Sequence, residues 1–298
     1  MLDKYDLTKS VVMSNDMIKS EYYKQPELEL TLQQKRLMLF MISKIEPTDT
    51  ELKSEVIQIS DYCELFGINY KGGQNKAALR NSLKSLLEKV FFLPIAPGVE
   101  RSFRWVEKVY IDHNAGTLSV QLDNSLKDYY IGLKKNYAIF QFGYTVAFTS
   151  KYSYTMYEFI KTKHEKKHFF YISVDEAKEI FAYNKYPNFS DFKKNVLDPA
   201  VSEINEKTDV NVQIKCLKRG RSYEIIEFYV TPKSGKALLE VDTWKVKALN
   251  KHEEVLKDMR EEWGEEEELR QKYADPELDA EMYKRGIEEL QANMFEEV

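Results

Sequence analysis

The chain has 298 residues, of which 43% are hydrophobic and 13% aromatic, and this composition excludes an intrinsically disordered protein. Its net charge of −5 is unevenly distributed, because residues 1–147 carry +1, residues 148–235 carry +3 and residues 236–298 carry −9. No apolar run approaches the roughly 20 residues that span a bilayer, and two isolated cysteines (Cys63 and Cys216) are typical of a reducing compartment, so we expect a cytoplasmic protein.

Residues 30–126 show the periodic apolar patterns of one folded unit. Its predicted elements are a helix over residues 32–45 after the N-cap Thr31, a strand over 56–59, helices over 61–66 and 75–90, and strands over 103–111 and 117–122. Pro47 ends the first helical pattern, and Ser60 is expected to cap the second helix. Residues 1–29 precede this unit as an N-terminal arm, and residues 127–147 follow it as an aromatic-rich connector.

Residues 148–235 repeat the order of elements of the first unit. The predicted elements are a helix over residues 150–163, a strand over 169–172, a helix from Ser173, a helix over 189–207, and strands over 210–215 and 223–230. The repetition predicts two domains of one fold in tandem. The charged composition of residues 236–298 predicts a largely helical acidic extension. It would act as a docking helix, a mimic of nucleic-acid charge or a solvated appendage.

The helix over residues 189–207 is amphipathic and has a basic first half. Its expected apolar face consists of Phe189, Phe192, Val196, Val201 and Ile204. Lys193, Lys194 and Asn195 fall on the remaining surface, where they can reach phosphates or base edges. The strands that follow are joined by a basic turn, as in the wing of a winged helix. We therefore predict an α+β chain with two tandem winged-helix domains, the second being the main DNA-binding domain.

A second pattern in the sequence indicates an enzyme. His164, Glu165 and His168 match the HExxH pattern of zinc proteases. However, the two lysines inside the pattern would repel a dication, and strand-like residues begin at Phe169, so the helix is expected to end within the pattern. Because neither a third ligand nor a phosphate-binding glycine loop is evident, we expect a non-enzymatic protein without a metal or cofactor.

Several motifs resemble one known family. They are LTLQQKRL at residues 30–37, ISKI at 42–45, YTMYE at 154–158, DFK at 191–193, VLDPA at 196–200 and EINEKTD at 203–209. In this order they resemble the iteron-binding plasmid replication initiators over about residues 10–232. The resemblance implies that the second winged helix binds repeated origin sequences, while the first contacts DNA or forms a dimer interface. It also implies that monomers start replication and that dimers repress their own promoter.

The resemblance carries DNA contacts onto both domains. The residues are Ser190, Lys193, Lys194 and Asn195 in the recognition helix, Lys218, Arg219 and Arg221 in the wing, Ser150, Lys151 and Tyr152 at the start of the second domain, and Lys76, Arg80 and Lys84 in the first domain. Cations neutralise phosphates and release counterions, and Lys or Asn at a helix start can read base edges. Asp191 is expected to cap the helix or to accept a hydrogen bond from a cytosine amino group.

We therefore predict a plasmid replication initiator. It is expected to bind direct repeats in double-stranded DNA at a plasmid origin, to open the adjacent duplex and to recruit the host replication initiator and helicase. A monomer–dimer equilibrium would allow it to repress its own promoter. A transcriptional regulator with the same domains is the alternative within this class, and a zinc-dependent hydrolase is the alternative from another class.

Overall fold

The computed structural model describes residues 6–18, 28–46, 48–66, 68, 73–164, 168–182 and 184–234. The acidic extension expected over residues 236–298 lies outside these ranges. Within them, no helix combines the length and the apolar character needed to cross a bilayer. The described elements build two units with the same order of helices and strands, except that the first unit contains one additional β-hairpin.

One helix of the first unit has its first turn fixed by a capping residue. The elements are β1 (Ser10–Ser14), α1 (Asn15–Ile18), α2 (Leu32–Ile42), β2 (Ser54–Gln58), α3 (Ile59–Leu65), α4 (Gly73–Glu88), β3 (Val90–Ala96), β4 (Val99–Arg104), β5 (Val106–Asp112) and β6 (Thr117–Leu122). Thr31 caps α2 as predicted, because its hydroxyl accepts from the Gln34 amide and the Gln34 side chain accepts from the Thr31 amide. The cap predicted at Ser60 was wrong, since α3 already begins at Ile59.

The strand predicted over residues 103–111 was also wrong, because it is two strands in different sheets. β4 pairs with β3, whereas β5 pairs with β6. Between β4 and β5 the side chain of Trp105 is buried, so the chain changes sheets at an anchored residue. β3 was not predicted, although its buried Phe91 and Leu93 alternate with exposed neighbours. Gly98, at a φ of 73°, lies in the turn of this hairpin.

The second unit repeats the topology of the first without a counterpart of the β3–β4 hairpin. After a 3₁₀ helix (Asn124–Tyr129), the elements are β7 (Tyr137–Gln141), α5 (Gly143–Val146), α6 (Lys151–His164), β8 (Phe169–Ser173), α7 (Val174–Ala182), α8 (Phe189–Phe192), a π-helical turn (Lys193–Leu197), α9 (Asp198–Lys207), β9 (Val210–Arg219) and β10 (Ser222–Pro232). We call the continuous helix over residues 189–207 the recognition helix and the β9–β10 hairpin the wing. The strand orders β2-β6-β5 and β8-β10-β9 are equivalent, and this confirms the predicted internal repeat.

The segments predicted as an arm and a connector contact each other. β1 pairs antiparallel with β7, with Ser10 opposite Gln141 and Ser14 opposite Tyr137. This pairing continues into α1, whose first amide, at Asn15, donates to a connector carbonyl at 2.6 Å. The two segments thus form a two-stranded sheet of their own, while the domain boundaries stay a prediction.

Helix α6 is buried along most of its length. All residues over 153–162 are buried. The ring of Tyr157 lies 5.3 Å from the Phe140 ring and 5.9 Å from the Phe148 ring, measured between centroids. The Tyr157 hydroxyl donates to the carboxylate of Asp209 at 2.6 Å. Because Phe140 belongs to β7 and Asp209 precedes β9, α6 contacts both the connector strand and the start of the wing.

Two basic residues of α2 attach the first unit to the α6 region. The Nζ atom of Lys35 lies 2.5 Å from Oε2 of Glu158 in α6, and both side chains are buried. The guanidinium of Arg36 donates to the carbonyl of Phe148 at 2.9 Å and lies 5.2 Å from the centre of the Phe66 ring. A buried charge is strongly unfavourable unless it is paired, so these contacts make the packing of α2 on α6 specific.

Replacing Lys35 by Met is expected to destabilise the chain by about 3–5 kcal/mol, because the Glu158 carboxylate would stay buried without its partner. Replacing both Lys35 and Glu158 by Met should recover most of this loss, since the double variant buries no charge. Urea unfolding of the full chain measures both effects. A loss below about 1 kcal/mol in the single variant, the value of an exposed pair, would show that this contact does not join the units.

Asp209 is expected to make the stability depend on pH. Burial acts to raise its pKa, but the Lys161 ammonium at 3.2 Å and the Tyr157 hydroxyl outweigh burial and hold the pKa below its ordinary value of 3.8. A pKa that is lower in the folded state stabilises the fold above the ordinary value, and this contribution is lost as the pH falls through the folded-state pKa.

The free energy of unfolding should therefore decrease as the pH falls below about 4, and it should decrease less in Asp209→Asn. Urea unfolding at about pH 6, 4 and 3 compares the two proteins. Identical pH dependence in both would show that this carboxylate does not contribute.

Candidate nucleic-acid interface

The recognition helix has one face in the core and one in solvent. Its fully buried residues are Phe192, Val196, Leu197, Ala200 and Ile204. Phe189 and Val201, which were expected in this face, are only half-buried, so that part of the prediction was wrong. The wider winding of the π-helical turn shifts the direction of Val201, which follows it. Phe189 precedes this turn and packs on Tyr223 of the wing. Ser190, Lys194 and Asn195 are exposed, as predicted.

An aromatic stack joins the recognition helix to the wing. The ring centroids of Phe189 and Tyr223 are 4.3 Å apart, and the rings are within 24° of parallel. The ammonium of Lys218 lies 4.7 Å from the centre of the Tyr223 ring, and the two residues are paired across the hairpin. Such aromatic and cation–π contacts each contribute on the order of 1 kcal/mol. The start of the helix and the wing are therefore held as neighbouring parts of one surface.

The turn of the wing exposes three basic side chains. They belong to Lys218, Arg219 and Arg221. Gly220, between the two arginines, has a φ of 59°, which a residue with a side chain rarely adopts. The pairing of Arg219 with Ser222 closes the turn. The basic turn predicted from the sequence is thus present, with its cations at the end of the hairpin.

The first turn of the recognition helix contains a small polar network. Asn188, not Asp191, is the N-cap residue, so the cap expected at Asp191 was wrong. The Asn188 amide group donates to the Asp191 carboxylate at 3.3 Å. The Asn195 amide group donates to the Asp191 carbonyl at 2.8 Å. Asp191 instead lies within the first turn, where the helix dipole favours a negative charge.

Two of the lysines predicted to contact DNA in the second unit form ion pairs within the chain. The Nζ atom of Lys193 lies 2.5 Å and 2.8 Å from the two carboxylate oxygens of Asp198. Lys151 pairs with Glu29, and its ammonium lies 5.3 Å from the centre of the Tyr152 ring. Each of these lysines must exchange a carboxylate for a phosphate in order to bind nucleic acid.

The start of α6 is ordered by local contacts among the predicted residues. Ser150 accepts a hydrogen bond from the Tyr152 amide at 3.2 Å. The Tyr152 hydroxyl lies 3.5 Å from the Tyr186 hydroxyl, and the two rings meet edge to face. Burial, together with the contact with Tyr186, raises the pKa of Tyr152 above its ordinary value. Tyr152 is thus a neutral donor in the physiological range.

The first unit places its predicted residues on α4, the helix equivalent to the recognition helix. Arg80 and Lys84 are exposed, and Lys84 lies 3.8 Å from Glu88, one turn further along the helix. The side chain of Lys76 lies outside the described part of the structure. The structure therefore offers two accessible cations on this helix.

The HExxH pattern is divided between different elements. α6 ends at His164, residues 165–167 lie outside the described ranges, and the exposed His168 directly precedes β8. Among the residues that the structure describes, no three His, Cys, Asp or Glu side chains gather as a potential metal site. The helix thus ends within the pattern, as expected from the sequence.

Comparison with known proteins gives two family matches, one over the first unit, the connector and most of α6, and one over most of the remaining second unit. The family described as "Initiator Replication protein, WH1" matches residues 10–161, and "Initiator Rep protein, WH2" matches residues 173–230. The PI protein of Escherichia coli is 30% identical over 158 residues, which are 47% of this chain and 52% of that protein. The match thus spans about half the length of this relative.

Two crystal structures of RctB, covering its domains 2 and 3, also align with the chain. Both are 12% identical, with TM-scores of 0.38 and 0.39. The alignments cover 67% and 71% of this chain and 80% and 86% of the RctB chains. Scores at this level do not define a shared architecture.

Replacing Tyr223 by Ala is expected to loosen the wing without unfolding the domain, because it removes the stack on Phe189. An aromatic pair contributes about 0.5–1.5 kcal/mol, so amide exchange in the turn should accelerate by up to about tenfold. Hydrogen exchange followed by mass spectrometry over residues 215–224 measures this. Tyr229→Ala is the matched control, since this exposed tyrosine on the same strand packs on Phe169 instead. Equal acceleration in both variants would show that the stack does not hold the wing.

Proposed function

This chain belongs to the initiator replication protein family, and from that membership we propose that it initiates replication of a plasmid by binding repeated DNA sequences at the origin. In this proposal, the second winged-helix domain makes the main contacts with double-stranded DNA. Its recognition helix would enter the major groove while the wing contacts the flanking backbone, which is how helix-turn-helix modules dock.

The observation that carries this proposal is the joined cationic surface of the second unit. The Phe189–Tyr223 stack holds the helix start beside the wing. The proposed contacts of this unit with DNA are Ser190, Lys193, Lys194, Asn195, Lys218, Arg219 and Arg221. The exposed cations neutralise phosphates and release counterions, while the polar side chains of the helix reach base edges. Lys193 takes part only after it leaves Asp198.

Two further surfaces are proposed to support binding. The supporting contacts are Ser150, Lys151 and Tyr152 at the start of α6, and Lys76, Arg80 and Lys84 on α4. Each set would position the protein on the backbone without reading sequence. The first unit is also the proposed dimer interface, so that a monomer–dimer equilibrium separates initiation from repression of the protein's own promoter.

The proposed mechanism is non-enzymatic and requires no cofactor. Binding of several copies to adjacent repeats would bend the origin, and the energy of deformation would favour opening of the neighbouring duplex. The host replication initiator and helicase would then be recruited to the opened strands.

The double variant Lys194→Ala/Arg221→Ala tests the proposed surface. It should weaken binding and reduce the slope of log affinity against log salt by about 2, since each lost phosphate contact removes about 0.9. Fluorescence anisotropy at two salt concentrations, with duplexes tiled across the DNA flanking the gene, measures the slope. Lys53→Ala/Lys108→Ala is the control, because it removes the same charge from exposed positions of the first unit.

An unchanged slope in the first double variant would reject the assignment of this surface. The sequence of the DNA duplex that is bound also separates the two candidate functions. Specific binding to a tile with tandem repeats supports an initiator, whereas binding only to a single promoter site indicates a transcriptional regulator with the same two domains.

A further inference from the structure

A buried carboxylate in the second half of the recognition helix holds the chain that leads into α6. The Glu203 side chain belongs to this helix and is buried. Its Oε1 atom accepts from the main-chain amide of Thr149 at 2.7 Å and from the Thr149 hydroxyl at 2.9 Å. The Lys207 ammonium donates to the same oxygen at 2.8 Å. Because a buried charge is strongly unfavourable without such donors, the carboxylate and Thr149 are held together.

Lys207 extends this contact by one main-chain group. Its ammonium also donates to the carbonyl of Ala147 at 2.9 Å. The recognition helix thus binds a carbonyl and an amide of the main chain within three residues in front of α6. Burial acts to raise the pKa of Glu203, but hydrogen bonds, first of all from Lys207, outweigh burial and hold the pKa below its ordinary value of 4.5. The contacts are therefore charge-assisted in the physiological range, and such hydrogen bonds are stronger than neutral ones.

The residues that follow Thr149 are the proposed phosphate contacts at the start of α6. Ser150 accepts from the Tyr152 amide, so these two residues are ordered together in the first turn. The Tyr152 ring meets the ring of Tyr186, which lies shortly before the recognition helix in the chain. The start of α6 is thus attached at two places, through Glu203 in the second half of the recognition helix and through Tyr186 before its first turn. Two attachments fix an orientation as well as a distance.

This attachment sets the spacing between two groups of proposed DNA contacts. A helix in the major groove and a contact with the phosphate backbone form together only if the protein holds them at the separation that the duplex presents. We propose that Glu203 is a positioning residue for DNA binding, which keeps the phosphate contacts of α6 in register with the recognition helix. Glu203 is buried and acts through Thr149. The inference rests on the DNA binding proposed above and adds the residue that couples its two groups of contacts.

A double-mutant cycle on DNA affinity tests this role. Glu203→Ala should weaken binding of the full chain to its preferred duplex tile by about fivefold to tenfold, as expected when one charged hydrogen bond to the backbone is lost. In the Lys151→Ala background that contact is already missing, so Glu203→Ala should cost less than about twofold there. Fluorescence anisotropy with the four proteins of the cycle measures the losses.

Asn205→Ala is the matched control in the same helix. The Asn205 side chain donates to the Val212 carbonyl at 2.8 Å and accepts from the Val212 amide at 2.6 Å, so it attaches the helix to β9. Its effect on affinity should be the same in the parent protein and in the Lys151→Ala background. A variant that only lowers the folded fraction also gives the same loss in both. Equal losses from Glu203→Ala in the two backgrounds therefore overturn the positioning role.

The outcomes separate this role from the general function. If the full chain prefers no tile over a shuffled duplex, both proposals fail. If it binds a tile but Lys151→Ala changes nothing, or if the losses add, only the positioning role is overturned. Circular dichroism shows whether Glu203→Ala is folded. If it is not, Glu203→Gln, which keeps the size of the side chain and removes its charge, takes its place, and a loss below about twofold in the parent protein or additive losses overturn the role.

Discussion

Burial of the polar groups of α6 is the constraint on which the two units depend. A helix surrounded by protein cannot turn its charged groups to water, so these need partners from other parts of the chain, whereas the hydroxyls of Thr155 and Thr162 donate to carbonyls of α6 itself. Glu158 forms an ion pair with Lys35 of the first unit, while Tyr157 and Lys161 bind the carboxylate of Asp209 in the second. The helix is therefore a core element that both units share. Its polar contacts with Lys35 and Asp209 fix where the two winged-helix domains pack against it.

Local sequence patterns predicted most of the helices and the repeat, because apolar spacing and caps act over a few residues. The cap at Thr31 and the basic turn of the wing are examples, since their signals lie within single turns. The hairpin β3–β4 was missed because the aromatic residues before and after Trp105 continue a strand pattern across a change of sheet. The pairing of β1 with β7 could not be predicted, as it joins segments more than 120 residues apart.

The sequence correctly predicted which basic residues of the candidate interface lie at the surface. It did not predict the ion pairs that two of them form within the chain. A basic residue in a helix start indicates a cation at the surface, as the structure has it for Lys194. The pattern does not indicate that Lys193 meets Asp198 or that Lys151 meets Glu29, because one contact needs a π-helical turn and the other needs tertiary packing. In the sequence, the stack of Phe189 on Tyr223 is indicated only by one aromatic residue at the start of the recognition helix and one at the start of β10.

The pairing of β1 with β7 has a consequence for synthesis on the ribosome. The strand that is translated first has its partner about 120 to 130 residues later, which at roughly 5–20 residues per second is a delay of about 6 to 25 seconds. During this interval the backbone of β1 has no strand to bond with, and its apolar side chains have no sheet to complete. Co-translational folding of this sheet is therefore completed only when β7 has been synthesised and pairs with β1, and a nascent chain that stalls before residue 137 carries an open strand edge.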